Sequence, residues 1–287
     1  MDTLIIGLLL GATYCLMALG LTLQYGVARI MNLAGGEWIV VGGFAAYWSF
    51  ALQGVSPLWG FALAVPFAFV LNWLIYQYLL TPLIRRAKTR GALEVDSILA
   101  TFGMSFIAVG LMRMAFGGEF FNYSLLAEPV LILGSAFGLN RIFAAAVAIV
   151  FGVALYFWLV RSRTGMAMRA LALSPSSAKL VAIDVQKLSL IAFSVGGAMS
   201  AAGGVVLSTF LTLDASVGVV FTMKALIIVI MGGVGNLKGA IVAALLLGMT
   251  ESVIATWVDP GLTLAAAYLL FVVVLLVKPE GLFGTKS

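Results

Sequence analysis

Histidine is absent from this chain of 287 residues, and cysteine occurs once, as Cys15. Histidine is the commonest metal ligand and acid–base catalyst, and a disulfide needs two cysteines. The chain also lacks the Walker A pattern, the Gly-x-Ser-x-Gly elbow and the His-Glu-x-x-His motif. These absences exclude a disulfide framework and argue against a hydrolase or an ATPase.

Charged residues are also scarce. They make up 9% of the chain and hydrophobic residues 63%, whereas a soluble domain carries about 25% charged residues. A helix needs about 20 apolar residues to cross the bilayer, and charge-free runs cover 3–28, 38–84, 142–160, 188–213 and 260–277. The net charge of +5 lies in the loops between these runs, so nucleic acid is not an expected partner. The sequence predicts an all-α, polytopic protein embedded in the lipid bilayer.

The predicted fold is a single transmembrane domain over residues 1–287, with eight or nine membrane segments. The nine apolar segments are 3–26, 36–52, 57–80, 95–116, 141–160, 187–211, 218–232, 238–257 and 261–277. Segments 36–52 and 218–232 are short and interrupted by glycine, so each could be a broken or re-entrant helix rather than a full crossing.

Basic residues predict the orientation, because Lys and Arg accumulate in cytoplasmic loops. Eleven of the sixteen basic residues lie in loop 81–96, loop 161–187 and the tail after residue 277. These stretches are therefore placed in the cytoplasm. Nine crossings then put the N-terminus outside and the C-terminus inside.

Small residues recur at spacings that let helix backbones approach closely in lipid. The residues predicted to serve this packing are Gly7, Gly11, Gly196, Ser200 and Gly204. A four-residue echo, Asn32-Leu-Ala-Gly35 and Asn236-Leu-Lys-Gly239, hints at two weakly related halves.

Polar groups within the apolar segments are costly in lipid, so they usually face the interior of the bundle or a water-filled cavity. Asn32 and Glu37 flank a glycine pair that suits a helix break, although Glu37 could simply cap the next helix. Lys224 lies within an apolar segment and could snorkel, pair with Glu37 or Glu251, or attract an anionic solute.

Loop 161–187 contains Ser174 followed by Pro175, which is a good helix start and predicts a short helix from Pro175 to Ile183. From spacing alone, this loop is an ordinary basic, amphipathic connection.

Three ordered blocks resemble the permeases of branched-chain amino acid ABC transporters. The first runs from Gly11-Ala-Thr-Tyr14 to Arg29-Ile-Met-Asn32-Leu-Ala-Gly-Gly36-Glu37. The second combines Arg169-Ala-Leu-Ala172 with the Gly-rich stretch that follows Phe193, and the third is Lys224-Ala225 with Met231-Gly-Gly233-Val-Gly235-Asn-Leu-Lys-Gly239. Together the blocks span nearly the whole chain.

The resemblance implies a permease of the bacterial inner membrane that carries a small amino acid or related carboxylate. Its implied partners are a second, related permease in a heterodimer, two cytoplasmic ATPase subunits that bind the ATP, and an extracytoplasmic solute-binding protein. The chain itself would bind no cofactor or metal and would not be an enzyme. The implied substrate path includes Tyr14, Asn32, Gly35, Glu37, Lys224, Gly233, Gly235 and Asn236. The implied ATPase-coupling residues are Arg169, Ala170, Ser174, Pro175, Ala178, Lys179 and Leu180.

One position departs from the family pattern. Where the family often has a polar side chain, commonly His, before the Gly-Glu pair, this chain has Gly35. We therefore expect a solute other than a branched-chain amino acid, bulkier or aromatic.

Two other functions fit parts of the pattern. A stand-alone secondary transporter or channel for a small polar solute is compatible with the interrupted segments, but the scarcity of intramembrane acids and the lack of His argue against a proton relay. A membrane-embedded enzyme would need a constellation of reactive side chains that the composition hardly supplies.

Overall fold

The computed structural model of the protein describes residues 2–51, 54–87, 89–123, 125–126, 128–132, 135–174, 178, 180 and 183–284. Its α-helices are α1 (Asp2–Leu23), α2 (Gly35–Ala51), α3 (Trp59–Ile75), α4 (Thr81–Arg86), α5 (Arg90–Phe116), α6 (Leu139–Arg161), α7 (Arg163–Leu173), α8 (Val185–Leu207), α9 (Gly218–Gly232), α10 (Leu237–Trp257) and α11 (Thr263–Val277). Single π-helical turns at Gln24–Ala28 and Tyr76–Leu80 extend α1 and α3, and a 3-10 turn at Pro260–Leu262 leads into α11. Strands β1 (Pro129–Ile132) and β2 (Ser135–Gly138) form a small antiparallel hairpin between α5 and α6.

Length and apolar composition make this architecture a membrane bundle. Seven helical segments of the described chain are long and apolar enough to cross a bilayer: Asp2–Ala28, Trp59–Arg86, Gly91–Phe116, Leu139–Arg161, Val185–Leu207, Leu237–Trp257 and Pro260–Val277. The predicted short segments are the uninterrupted helices α2 and α9, of 17 and 15 residues. The prediction of a polytopic helical bundle is confirmed. The single-domain boundary and the two related halves stay predictions.

Helix α1 lies at the centre of the bundle because glycines let its backbone touch two neighbours. A Cβ added at Gly7 would lie 2.6 Å from the Cα of Met249, and one at Gly11 would lie 2.7 Å from the Cα of Leu245. These contacts run antiparallel along α10. On another side of α1, Gly20 lies against the Gly196 carbonyl of α8. The hydroxyl of Ser200 donates within α8 to the same carbonyl.

Helix α2 packs on α8 in the same way. A Cβ at Gly204 would collide with the backbone of Ile39, and one at Gly42 would collide with the Ala201 carbonyl. Van der Waals contact between backbones is the main attraction available between helices in lipid, where apolar side chains gain nothing by leaving the hydrocarbon. Helix α8 is therefore almost entirely buried along its second half.

Hydrogen bonds show which helix ends lie together. At one end of the bundle, Ser252 Oγ donates to the Thr3 carbonyl, and Phe121 and Leu213 exchange two backbone hydrogen bonds. At the other end, Arg29 Nη2 donates to the Ala172 carbonyl, and Leu282 N donates to the Met231 carbonyl. The start of α1 and the segment after α11 are therefore at opposite ends.

The close approach of α1 and α10 makes Gly11 a sensitive position. We expect Gly11→Ala to lower the free energy of unfolding by about 1–3 kcal/mol, because the added methyl group must displace backbone atoms of α10. The matched control is Gly103→Ala on α5, where a Cβ meets nothing within 4 Å. There, the better helix propensity of alanine predicts a gain of about 0.5–1 kcal/mol. Thermal unfolding of both purified variants in detergent measures the difference, and equal midpoints would contradict the close contact.

Candidate functional site

The chain between α1 and α2 is not helical, and side chains satisfy its backbone. Arg29 adopts a left-handed conformation with φ 56°, which ends the π-helical turn. Asn32 Oδ1 accepts a hydrogen bond from Ala34 N at 3.0 Å, and its Nδ2 donates to Gln24 Oε1 at 3.1 Å. Gln24 Nε2 in turn donates to the Phe193 carbonyl at 2.8 Å. An interrupted helix within a membrane needs such partners because lipid offers none.

Two threonines attach this break to other helices. Leu33 N donates to Thr101 Oγ1 of α5 at 3.1 Å, and Gly36 N donates to Thr222 Oγ1 of α9 at 2.8 Å. Motion of either helix would therefore act directly on the break.

Glu37 lies in the first turn of α2 and is 1% exposed. Its Oε1 accepts a hydrogen bond from Ser105 Oγ of α5 at 2.8 Å. Its Oε2 has no hydrogen-bond partner within the described part of the chain and lies so close to Gly218 that a Cβ there would collide with it. Beside Gly35, by contrast, the space is open, since a Cβ at that position would meet nothing within 4 Å.

Tyr14, Lys224 and Glu251 form a second buried polar group, which joins α1, α9 and α10. Lys224 Nζ forms an ion pair with Glu251 Oε2 at 2.8 Å and donates to Tyr14 Oη at 2.9 Å. Tyr14 Oη donates to the same carboxylate oxygen at 2.8 Å. Of the two acids that the sequence offered to Lys224, the structure therefore selects Glu251, which is 4% exposed.

The turn after α9 contacts both the C-terminal segment and the end of α1. Gly233, with φ 100°, lies against Gly284, and Gly235, with φ 76°, lies against Gly26. Asn236 caps α10 by accepting from Gly239 N at 3.1 Å, and its Nδ2 donates to the Phe283 carbonyl at 2.9 Å. Leu282 N and Phe283 N donate to the last carbonyls of α9. Gly233, Gly235 and Asn236, three of the predicted path residues, thus lie in the turn that contacts the tail. They do not join Glu37 or Lys224.

The predicted coupling loop contains α7, whose N-terminus is capped by Ser162 Oγ at 2.9 Å from Gly165 N. Arg169 and Ala170 are exposed on this helix, and Ser174 follows its end. Ala178 is buried, whereas Leu180 is 88% exposed. Pro175 and Lys179 lie outside the described residues, as does most of the helix predicted from Pro175 to Ile183. The role of the loop stays a prediction.

Sequence reasoning missed the hydroxyl and amide side chains that complete these networks: Gln24, Thr101, Ser105 and Thr222. Each is an uncharged polar residue within an apolar segment. Such residues commonly bond to their own helix, so no motif distinguishes those that bond across helices.

Comparisons with known proteins agree with this architecture. The family described as "Branched-chain amino acid transport system / permease component" matches residues 3–277. The high-affinity branched-chain amino acid transport system permease protein LivH of Salmonella typhimurium is 27% identical over 97% of this chain and 93% of its own length. BraD of Pseudomonas aeruginosa, whose name describes the same kind of permease, is 27% identical over 99% of this chain and 95% of its own. A solved structure, PsaBC from Streptococcus pneumoniae in complex with Fab, matches with a TM-score of 0.51 and 14% identity over 99% of this chain and 94% of that chain, which shows a shared fold.

Substitutions in the buried ion pair between Lys224 and Glu251 test how much it stabilises the contact of α9 with α10. We expect Lys224→Met to lower the free energy of unfolding by about 3–5 kcal/mol, because it leaves the Glu251 carboxylate buried without a cation. The double variant Lys224→Met with Glu251→Gln should recover much of that loss, since no charge then remains buried. Thermal or denaturant unfolding in detergent supplies the numbers, with the exposed Lys238→Met as control. A single variant as stable as the control would refute the pairing.

Proposed function

Since the chain belongs to the family of branched-chain amino acid transport system permease components, we propose that it translocates a small amino acid or related carboxylate across the cytoplasmic membrane. It is a membrane-spanning permease subunit of an ABC import system. The proposed class of solute is supported by the match, over nearly the whole chain, to relatives named for branched-chain amino acid transport. The open space beside Gly35 leaves room for a solute with a bulkier or aromatic side chain.

The energy for transport comes from other subunits in this proposal. A permease of an ABC importer works with ATPase subunits and a solute-binding protein. We propose two ATPase subunits on the cytoplasmic side, and a second, related permease beside this chain in the membrane. ATP binds to the ATPase subunits, and this chain binds no cofactor of its own and catalyses no reaction.

The end of the bundle that contains Ala172 and Met231 is the proposed ATPase-facing end. The supporting observation is the charge distribution, because loop 161–187 and the tail both reach this end and both are rich in basic residues. In the proposed orientation, the N-terminus is outside and the C-terminus is in the cytoplasm.

Cysteine labelling tests this orientation. Gly91→Cys lies at the proposed cytoplasmic end of α5 and Glu119→Cys lies beyond its other end, and both positions are exposed. We expect a membrane-impermeant maleimide to label Glu119→Cys in intact cells, and to label Gly91→Cys only after the cells are broken. The unmodified chain is the control, since its single cysteine, Cys15, is buried. The reverse labelling pattern would invert the topology.

Charge reversal tests the coupling loop. Arg169 is exposed on α7, where its Nη2 makes a long contact of 3.4 Å with the Val160 carbonyl. We expect Arg169→Glu to reduce ATP-driven uptake by about tenfold, the effect of losing roughly one charge-assisted contact to a partner subunit, while the purified chain keeps its unfolding midpoint. Lys278→Glu is the matched control because it reverses an exposed charge at the same end of the bundle. If both variants transport alike, loop 161–187 does not dock on the ATPase.

A further inference from the structure

Glu37 is a buried carboxyl group without a counter-ion among the described residues. It is 1% exposed, and none of the described lysine or arginine side chains forms an ion pair with it. Lys224, the basic residue most deeply placed in the bundle, is already bonded to Glu251 and Tyr14. Acidic residues within membrane segments are expensive and are normally paired, so the missing partner of Glu37 requires an explanation.

One oxygen of the Glu37 carboxyl group has a hydrogen-bond partner among the described residues, and the other has none. Ser105 donates a hydrogen bond to Oε1, and Oε2 lies against Gly218 in the first turn of α9. The N-terminal end of a helix carries partial positive charge, which stabilises a nearby anion. Yet Oε2 receives no hydrogen bond from the described residues. This oxygen can therefore accept a hydrogen bond from a donor other than the described residues.

Helix α5 is the cover over this carboxylate. Its buried side carries Thr101 and Ser105, which bond to the break and to Glu37. Its other side is exposed along its length, including Leu99, Phe106 and Leu111. Its C-terminal half also packs Met112 and Phe116 against Val40 and Phe44 of α2. These side-chain contacts differ from the backbone contacts that hold α1, α2 and α8 together. A shift of α5 at Ser105 would therefore uncover Glu37 and leave those backbone contacts in place.

We propose that Glu37 recognises the positively charged ammonium group of the transported solute, which passes between α2 and α5. In the empty state, Ser105 occupies one carboxylate oxygen. When α5 moves, the ammonium group supplies the cation and the hydrogen-bond donors that the carboxylate lacks. This rests on the proposed function, and it narrows the solute to a molecule that carries a protonated amine.

Reconstituted importers test the assignment. The complete complex, with partner permease, ATPases and binding protein, is placed in proteoliposomes with a radiolabelled mixture of the twenty proteinogenic amino acids. Amino acid uptake and ATP hydrolysis stimulated by the binding protein are measured for the unmodified chain and for Glu37→Gln, Glu37→Asp and Glu119→Gln. We expect Glu37→Gln to lower the amino acid moved per ATP by about tenfold or more, as expected for the loss of a charge-assisted hydrogen bond, while stimulated hydrolysis continues. Glu37→Asp keeps the charge and should retain most of the uptake, as should the control Glu119→Gln, which neutralises an exposed acid outside the site.

The outcomes separate this inference from the proposed function. An unchanged ratio of uptake to hydrolysis in Glu37→Gln would overturn the inference and leave the importer function intact. Loss of stimulated hydrolysis together with uptake would also overturn it, because Glu37 would then support the structure and not the solute. If the unmodified complex moves no amino acid, the solute class in the proposed function fails, and the ammonium site fails with it.

Discussion

Backbone hydrogen bonding in a medium without water is the constraint from which the site follows. The chain leaves the helix after Ala28 and resumes it at Gly35, so several backbone groups need partners that lipid cannot provide. Asn32, Thr101 and Thr222 provide them, and each comes from a different helix or from the break itself. The break thereby fixes the relative positions of α1, α5 and α9. The free-energy cost of the unpaired backbone groups is offset only where these helices remain close together.

Close packing by glycine gives the rest of the bundle its rigidity. Backbone contacts of α1 with α8 and α10, and of α2 with α8, leave little freedom for these four helices to slide. Helix α5 lacks comparable backbone contacts and is bound through hydroxyl groups at the break and through an apolar cluster with α2 that contains Met112 and Phe116. A transporter needs a stable body and an element that moves with respect to it. The distribution of small residues assigns the first role to α1, α2, α8 and α10, and the second to α5.

The sequence predicted the membrane class and all nine apolar segments, because the length and hydrophobicity of a segment suffice to identify a membrane helix. It also marked Glu37 and Lys224 as polar residues within apolar segments, since charge within an apolar run is rare, whereas Tyr14 was named only through the family resemblance. Partners could not be predicted, because Glu251 is only one of two acids within the possible reach of Lys224 and long-range pairing leaves no periodic signal. The glycines after α9 were grouped with the path, yet Gly233 contacts a tail about fifty residues further on and Gly235 contacts Gly26 near the end of α1. Such a contact depends on tertiary structure alone.

Contacts at the end of α1 connect the loop after α6, the break before α2 and the turn after α9. Arg29 donates to Ala172 of the loop that follows α6, and only three residues separate it from Leu33, which is bonded to α5. Gly26, in the π-helical turn just before Arg29, lies against Gly235 of the turn that holds the tail. A displacement of α7 by a partner subunit would therefore reach the π-helical turn first and the break next. Because the break is already bonded to α5 and α9, it is the point where force applied at the loop would loosen the cover over Glu37. Spatial connection of this kind makes the π-helical turn the natural place to measure coupling energies between the loop and the cleft.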